Sequence, residues 1–155
     1  LPEPIINKAG CNLSFAGLKT AVLREAKKLN DNKEMKYNLA ASFQKTINKI
    51  LYKKTKVAVE IFVKKTQTKD VNLIVAGGVA ANQSIRKNLT NLSKDMKFKI
   101  IFPDVKFCGD NAAMIAWAGI QRFKKNLLDE ININAKSRWP LDERAPYMKG
   151  PGLKL

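Results

Sequence analysis

The sequence predicts an α/β fold in which helices flank a parallel or mixed sheet. Two amphipathic patterns with helical spacing fill the N-terminal half of the chain. Behind them, residues 71–76 form a short, almost continuously apolar run that Gly77-Gly78 ends, and a helical pattern and a second apolar run follow. This strand–helix–strand order is that of a parallel βαβ unit. A chain of 155 residues with 45% hydrophobic content is long enough to bury one compact core.

Two amphipathic helices are predicted before the first strand. The first runs from Leu18 to about Leu29, and its apolar residues recur every three or four positions. The second starts near Glu34 and continues to about residue 66, with an apolar stripe on one face. Its other face carries Lys45, Lys49, Lys53 and Lys56. A lysine face of this kind is typical of a solvated helix surface.

Strands and helices are predicted to alternate in the second half. Residues 71–76 are predicted as a buried strand, Ala80 to about Leu92 as a helix, and residues 98–102 as a second strand that Pro103 closes. A further helix is predicted from about Asp110 to Lys125. The remaining residues, with their three prolines, predict an irregular tail.

The charge of the chain gives the first indication of a partner. It has 29 Lys and Arg residues against 13 Asp and Glu, a formal net charge of +16. Such an excess favours an anionic partner such as a nucleic acid. A bias of composition is the alternative explanation, because most of these cations are lysines and runs such as residues 30–33 mix asparagine, aspartate and lysine.

Several classes of protein are disfavoured by what the sequence lacks. No apolar run reaches the roughly 18 residues that would cross a bilayer, and Leu1-Pro2-Glu3-Pro4 does not resemble a signal peptide, so we expect a soluble protein of the cytoplasm. Cys11 and Cys108 lie far apart without CxxC spacing, which predicts neither a disulfide framework nor a zinc ribbon. Histidine, the commonest general base and metal ligand, is absent.

The first candidate site is the turn at Gly77-Gly78, between a strand and the next helix. Adjacent glycines permit a tight turn and let a ligand approach backbone amides at a helix N-terminus, which suits the phosphate of a nucleotide. An ordinary tight turn is the alternative, and no Walker-type Gly-Lys-Ser/Thr is present. Asn82, at the end of this segment, predicts either a helix cap or an amide that binds a base or a ribose.

The second candidate is Asp110, which precedes an apolar helix just beyond the second predicted strand. One interpretation is an N-cap, a common use of aspartate that contributes about 1 kcal/mol. The other is a metal ligand, because carboxylates near the ends of strands in α/β folds face the crevice where ligands bind.

The third candidate is the segment from Ser14 to Thr20, just ahead of the first helix. It predicts a helix start with a solvent-facing lysine. Alternatively, Ser14, Gly17 and Lys19 line a cleft that receives a phosphate-bearing ligand.

Together, these segments resemble three motifs of the bacterial tRNA N6-adenosine threonylcarbamoyltransferase family, once called glycoproteases. The family motifs are similar to Ser-Phe-Ser-Gly-Leu-Lys-Thr, Gly-Gly-Val-Ala-Ala-Asn and Asp-Asn-Ala-Ala-Met-Ile-Ala. Residues 14–20, 77–82 and 110–116 match them in that order. Residues 41–44 (Ala-Ser-Phe-Gln) and 138–141 (Arg-Trp-Pro-Leu) add two further similarities. The resemblance covers nearly the whole chain.

This resemblance implies a more specific fold and an activity. The fold is the C-terminal lobe of an actin-like (ASKHA, ribonuclease H-like) ATPase with a mainly helical insertion. Residues 1–155 would form a single partial domain, with a helical part at about 18–66, a βαβα part at about 71–126 and an irregular tail at 127–155. Members of the family transfer the threonylcarbamoyl group from threonylcarbamoyl-AMP to N6 of adenosine 37 in tRNAs that read ANN codons.

The resemblance also assigns residues and partners. Asn82, with Gly77 and Gly78 beside it, corresponds to a substrate-binding asparagine. Asp110 corresponds to a ligand of one divalent metal per full-length subunit, iron or zinc, which two histidines of an HxxxH motif in the N-terminal half complete. The expected partners are threonylcarbamoyl-AMP, tRNA, TsaB-like and TsaE-like proteins and the missing N-terminal lobe, and no membrane.

Two departures from the motifs and the lack of histidine limit what the chain is expected to do alone. Ala16 replaces the second serine of the first motif, and Gly109 replaces the usual Thr or Ser before the aspartate. Since at most one of the three protein ligands of the metal is present, we expect the isolated chain to be inactive. The alternatives are a non-catalytic fragment that binds a nucleotide or a partner, a metallopeptidase, which the lack of histidine disfavours, and a basic RNA-binding module.

Overall fold

The computed structural model describes residues 1–68, 70–132 and 134. They form helices α1 (Ala16–Ala26), α2 (Lys33–Thr66), α3 (Gln83–Asp95) and α4 (Ala112–Lys124) and strands β1 (Asn72–Ile74) and β2 (Lys99–Ile101). Short 3₁₀ turns precede α3, at Gly78–Ala81, and follow β2, at Val105–Phe107. The chain divides into two compact units, residues 1–112 and residues 113 onward.

Helix α2 is the long element against which α1 and α3 both pack. Asn32 caps its first turn, because its Oδ1 accepts a hydrogen bond from the amide of Met35 at 3.0 Å. Lys64 and Lys65 lie in the last turn, where they face the negative end of the helix dipole. The helix ends at Thr66, and its C-cap, Gln67, has a left-handed φ of 55° that ends the helical path. With 34 residues, α2 is about 50 Å long.

A small apolar cluster holds α1 on α2. Leu18 and Ile50 are fully buried, and Ile6 from the N-terminal segment packs against them. Val22 and Ile47 flank this cluster. The predicted apolar face of the first helix therefore lies against α2, although the helix starts two residues earlier than predicted and ends at Ala26.

The lysines of α2 comprise an exposed set and one buried residue. The predicted lysine face is exposed, at Lys45, Lys49, Lys53 and Lys56. Lys54, by contrast, retains only 2% of its accessible surface. Its Nζ donates to the backbone carbonyls of Lys8 at 2.7 Å and Gly10 at 3.0 Å. Because these carbonyls replace water around the ammonium group, Lys54 fixes the N-terminal segment to α2.

Strands β1 and β2 form a parallel two-stranded sheet among the described residues, and α3 connects them. Leu73 of β1 lies opposite Ile100 of β2. Helix α3 packs through its buried stripe of Ile85, Leu89 and Leu92, against which Ile100 also packs. The predicted βαβ order is confirmed, and so is the α/β fold at the level of helices with a small parallel sheet.

The prediction of a buried strand over residues 71–76 is wrong in two respects. Strand β1 has three residues, and Ile74 is 67% exposed. Ile101, its neighbour on β2, is 38% exposed. Alternate side chains of a strand point to opposite faces, and α3 covers the face that Ile100 shares. Within the described residues the other face has no covering layer, so a run of apolar residues forms a one-sided sheet.

The second unit is described through α4 and the turn that follows it. The backbone carbonyl of Arg122 accepts bonds from the amides of Lys125 and Leu127, both at 3.0 Å. Its guanidinium pairs with Asp129 at 2.7 Å. Most of the predicted tail, with residues 138–141, lies outside the described residues, and the single partial domain over 1–155 stays a prediction. In the ranges that the structure describes, no helix is both long and apolar enough to span a membrane.

Candidate substrate site at the carboxyl edge of the sheet

Two of the three candidate segments leave the same edge of the sheet. The Gly77-Gly78 turn follows β1, and the loop to Asp110 follows β2. Since the strands are parallel, both loops start at the carboxyl ends of the strands, the edge at which α/β folds bind ligands. The amide of Val75 donates to the carbonyl of Ile101 at 3.0 Å, so the strands stay paired up to this edge.

The glycine turn has the backbone geometry that its sequence predicts. Gly77 has a φ of 90°, which strains any residue with a side chain. The turn closes when the amide of Ala80 donates to the carbonyl of Gly77 at 2.9 Å. Both Gly77 and Gly78 are exposed, and a Cβ at either would meet no atom within 4 Å. The backbone conformation at position 77 therefore favours glycine, and a ligand can approach the open surface beside it.

Asn82 is the N-cap of α3, which confirms the cap interpretation of this residue. Its Oδ1 accepts from the amide of Ile85 at 3.0 Å, and its Nδ2 donates to Oε1 of Gln44 at 2.8 Å. The helix predicted from Ala80 therefore starts at Gln83, because the 3₁₀ turn and the cap come first. A substrate-binding role for Asn82 stays a prediction.

Gln44 begins an amide network that joins α2 to α3. Its Nε2 donates to Oδ1 of Asn48 at 3.0 Å, and Nδ2 of Asn48 donates to Oγ of Ser84 at 2.8 Å. Asn88 donates to the carbonyl of Asn48 at 2.9 Å. The network holds the Asn82 end of α3 in a fixed position on α2.

Asp110 lies exposed in the loop after the second 3₁₀ turn. Helix α4 begins at Ala112, so the cap position before it falls on Asn111 and not on Asp110. The N-cap alternative for Asp110 is therefore wrong, since Asn111 lies between it and the first residue of the helix. In the described part of the chain, no group of three or more His, Cys, Asp or Glu side chains could hold a metal ion.

The Ser14–Thr20 segment leads into and begins helix α1, whose Leu18 belongs to an apolar cluster that shares the neighbour Ile47 with the α3 stripe. Gly17 is in the first turn of α1, where an added Cβ would lie 3.5 Å from Cγ of Pro4. Lys19 is exposed and Ser14 is partly exposed. A role for Ser14, Gly17 and Lys19 in lining a ligand cleft stays a prediction.

Arg86, which lies outside the three motifs, joins the two loops of the carboxyl edge. Its guanidinium bonds to the carbonyl of Ala80 in the glycine turn and to the carbonyl of Pro103 after β2. It also contacts Sγ of buried Cys108, two residues before Asp110. One signal was available in the sequence: Arg86 is one of five arginines in a lysine-rich chain, and it directly follows a core residue of α3.

A groove of about 1060 Å³ runs between α2 and α3 and reaches the amide network. Four exposed lysines line it along α2: Lys45, Lys49, Lys53 and Lys56. Lys49 pairs with Glu3 at 2.7 Å, and Lys53 donates to Oδ1 of Asn7 at 2.7 Å. The predicted lysine face is thus one wall of a groove whose end contains Gln44, the partner of Asn82.

Comparison with known proteins gives a consistent picture. A family model described as "TsaD: tRNA N6-adenosine threonylcarbamoyltransferase" matches residues 1–117, a range that includes all three motifs. A protein of that name from Pelagibacter ubique is 56% identical over 155 residues, which are 100% of this chain and 43% of the relative. The protein of the same name from Cereibacter sphaeroides is 41% identical over 99% of this chain and 43% of that relative. The one from Rickettsia rickettsii is 42% identical over 92% of this chain and 42% of that relative. The chain thus spans less than half the length of the curated relatives it matches. It belongs to the tRNA N6-adenosine threonylcarbamoyltransferase family, as the motifs predict.

Proposed function

We propose that this chain forms part of an enzyme that transfers a threonylcarbamoyl group to tRNA. In the reaction, N6 of adenosine 37 in a tRNA that reads ANN codons attacks the carbamoyl carbon of threonylcarbamoyl-AMP. A bond forms from N6 to that carbon, the bond from the carbon to the phosphate oxygen breaks, AMP leaves with the electron pair, and the amine loses a proton to solvent. The observation that carries the proposal is the family match over residues 1–117, which includes both loops of the carboxyl edge.

The residues at this edge are suited to hold an adenylate. Exposed Gly77 and Gly78 let a phosphate approach the backbone closely. Asn82 uses one Nδ2 hydrogen on Gln44 and one Oδ1 lone pair on Ile85, so one of each is left to bind substrate. Groups of this kind accelerate a transfer by orienting the reactants and stabilising charge, and no covalent protein nucleophile is needed. We propose that Ser14, Gly17 and Lys19 line another part of the cleft.

The finer fold assignment belongs to the same proposal: the chain is the C-terminal lobe of an actin-like ATPase fold. The parallel strands with both candidate loops at their carboxyl ends support it. The exposed apolar sheet face at Ile74 and Ile101 supports it too, because a larger sheet or a second lobe would cover these side chains.

We further propose that Asp110 supplies one oxygen ligand to a divalent metal, iron or zinc. The described residues do not fit a complete metal site, since they hold no group of three suitable side chains and the sequence has no histidine. The remaining ligands would come from outside this chain.

The partners are part of the proposal. tRNA is the substrate that the names of the relatives state. We propose TsaB-like and TsaE-like proteins as further partners and the cytoplasm as the location, as the family resemblance implies.

A chimera tests the proposed function. The 155 residues replace the aligned residues of the Pelagibacter ubique relative, to which they are 56% identical. The chimera, the relative and the isolated chain are each incubated with threonylcarbamoyl-AMP, tRNA and the partner proteins of that relative, and modified adenosine is measured by mass spectrometry. We expect modification by the chimera and none by the isolated chain. A folded but inactive chimera beside an active relative would favour the non-catalytic alternative.

A further inference from the structure

We propose that Arg86 is a positioning residue that locks the two loops of the candidate site to each other. The inference rests on the proposed function, since it assigns a role at the same edge of the sheet. Arg86 lies in the first turn of α3 and outside the three family motifs. Its side chain reaches across the sheet edge from the loop after β1 to the loop after β2.

Four contacts define its position. The Nε group donates to the carbonyl of Ala80. The Nη2 group donates to the carbonyl of Pro103 at 2.7 Å and lies 3.2 Å from Sγ of Cys108. The guanidinium carbon lies 5.0 Å from the centre of the Phe102 ring. Both ends of the guanidinium are thus engaged, one by each loop.

These contacts need an arginine in particular. The guanidinium is planar and presents its N–H groups in a fixed fork, so one side chain can bond to carbonyls on opposite sides while its face stacks on a ring. A lysine presents one ammonium at the end of a flexible stem and reaches one of these acceptors at a time. Loss of the guanidinium would leave the partly buried carbonyls of Ala80 and Pro103 without this charged donor.

The lock acts directly beneath the proposed binding groups. Ala80 lies two residues before Asn82, and Cys108 lies two residues before Asp110. Gly109 follows Cys108 and is exposed, so local sequence does little to hold Asp110 in place. Arg86 therefore sets the spacing between the glycine turn and the Asp110 loop. A shift of about 1 Å in such groups is enough to lower a rate by about a hundredfold.

The first test measures the lock in the chain itself, in a Cys11→Ser background that leaves Cys108 as the only thiol. Arg86→Gln is expected to raise the rate at which a thiol reagent labels Cys108 by about tenfold. Amide exchange at Ala80 and Cys108 should rise with it, whereas exchange at Ile50 in the other cluster should not. Lys87→Gln removes the same charge from the next residue of α3 and should leave these rates unchanged within about twofold.

Arg86→Lys keeps the charge and serves as the second variant if Arg86→Gln does not fold. It is expected to label at an intermediate rate. Labelling of Cys108 at the wild-type rate in both variants would overturn the lock, and so would a rise of equal size at Ile50, because that would report general unfolding.

The second test measures catalysis in the chimera described above. Arg86→Gln is expected to lower kcat by roughly 10- to 100-fold, because the two loops lose their fixed spacing. KM for tRNA should change by less than about twofold, because the variant does not alter the proposed tRNA-binding surface. Arg86→Lys should recover part of kcat, and Lys87→Gln should match the parent. A parent chimera without activity contradicts the proposed function and leaves the labelling result standing. An active parent whose Arg86→Gln variant keeps its kcat overturns the positioning role.

Discussion

Asn82 uses one atom to cap α3 and another to hold Gln44, so its structural role can be measured apart from binding. Asn82→Ala removes both bonds and is expected to destabilise the chain by about 1–2 kcal/mol. Asn32 caps α2 in the same way at 3.0 Å and lies outside the proposed site. Asn32→Ala should therefore cost about 1 kcal/mol. Urea denaturation followed by circular dichroism measures both, and a loss that differs by more than about threefold would contradict the shared cap role.

Asn82→Asp separates the cap from the amide. The carboxylate still accepts from the amide of Ile85, and a negative charge at a helix N-terminus is favourable. It cannot donate to Oε1 of Gln44, so a loss of stability of about 0.5–1 kcal/mol is expected. The Nδ2 donor is lost. If this amide binds the substrate, the chimera with Asn82→Asp should lose about tenfold or more in kcat/KM. Full activity in this folded variant would remove Asn82 from the proposed site.

Tyr52 and Asp95 form a hydrogen bond between α2 and α3 whose contribution to the stability of the fold depends on pH. Oη of Tyr52 donates to Oδ2 of Asp95 at 2.8 Å. This hydrogen bond, with smaller effects of burial and of the carboxylate charge, raises the pKa of Tyr52 above its ordinary value of 10.0. Below that value both the folded and the unfolded state are protonated and the bond contributes fully. As the pH rises further, the unfolded state ionises first, so the contribution declines and is lost once the pH passes the pKa of the folded state.

An NMR titration of the Tyr52 ring measures this effect. Asp95→Ala removes the acceptor and the charge together and is expected to lower the pKa of Tyr52 towards 10.0. Asp31→Ala removes a carboxylate that pairs with Lys36 elsewhere and should leave the Tyr52 titration unchanged. An unaltered curve in Asp95→Ala would show that the bond is not formed in solution.

At the scale of elements, the two faces of the sheet differ in what covers them. Ile100 packs against the α3 stripe, whereas its neighbour Ile101 is 38% exposed. Ile100→Ala is expected to cost about 2 kcal/mol, since it opens a gap under α3. Ile101→Ala makes the same chemical change on the open face and should cost less than about 1 kcal/mol. Urea denaturation of the isolated chain compares them, and equal losses would mean that a layer covers the open face.

Element positions follow from the sequence where the determining contacts are local. Leu18, Ile50 and Leu89 lie on the predicted apolar stripes and are buried, because three- and four-residue spacing alone places side chains on one face of a helix. The 67% exposure of Ile74 cannot be predicted from the apolar residues around it in the sequence. It depends on what lies across the sheet, and no local pattern carries that information.

The candidate site divides in the same way. Gly77, Gly78 and Asp110 are predictable as loop residues at one sheet edge, because parallel strand order brings their segments together. Arg86 is harder to predict, since its partners Pro103 and Cys108 lie 17 and 22 residues away. Lys54 is similar: its spacing resembles that of the exposed lysines, and only the carbonyls 44 and 46 residues earlier explain its burial.

At the scale of the whole molecule, part of the positive charge of this +16 chain is concentrated along one groove. Four lysines form one wall of the groove between α2 and α3, and this groove ends at the partner of Asn82. Lys49 and Lys53 have partners on the N-terminal segment, and Glu60 at the far end is acidic. The groove is therefore the surface on which a binding role can be tested against the alternative of biased composition.

Matched sets of lysine substitutions test that distinction. Lys45, Lys53 and Lys56 are changed together to Gln in the full 155-residue chain, and tRNA affinity is measured by fluorescence anisotropy between roughly 50 and 200 mM salt. If these lysines neutralise phosphates, the slope of log affinity against log salt should fall by about 2–3, or roughly 0.7–0.9 for each lysine. The control changes Lys27, Lys33 and Lys87, which are exposed outside the groove, and removes the same charge. The slope counts the phosphates that bound lysines neutralise. If the control slope falls by the same amount, lysines outside the groove contact RNA as much as the groove lysines do, and the groove is not a preferred site.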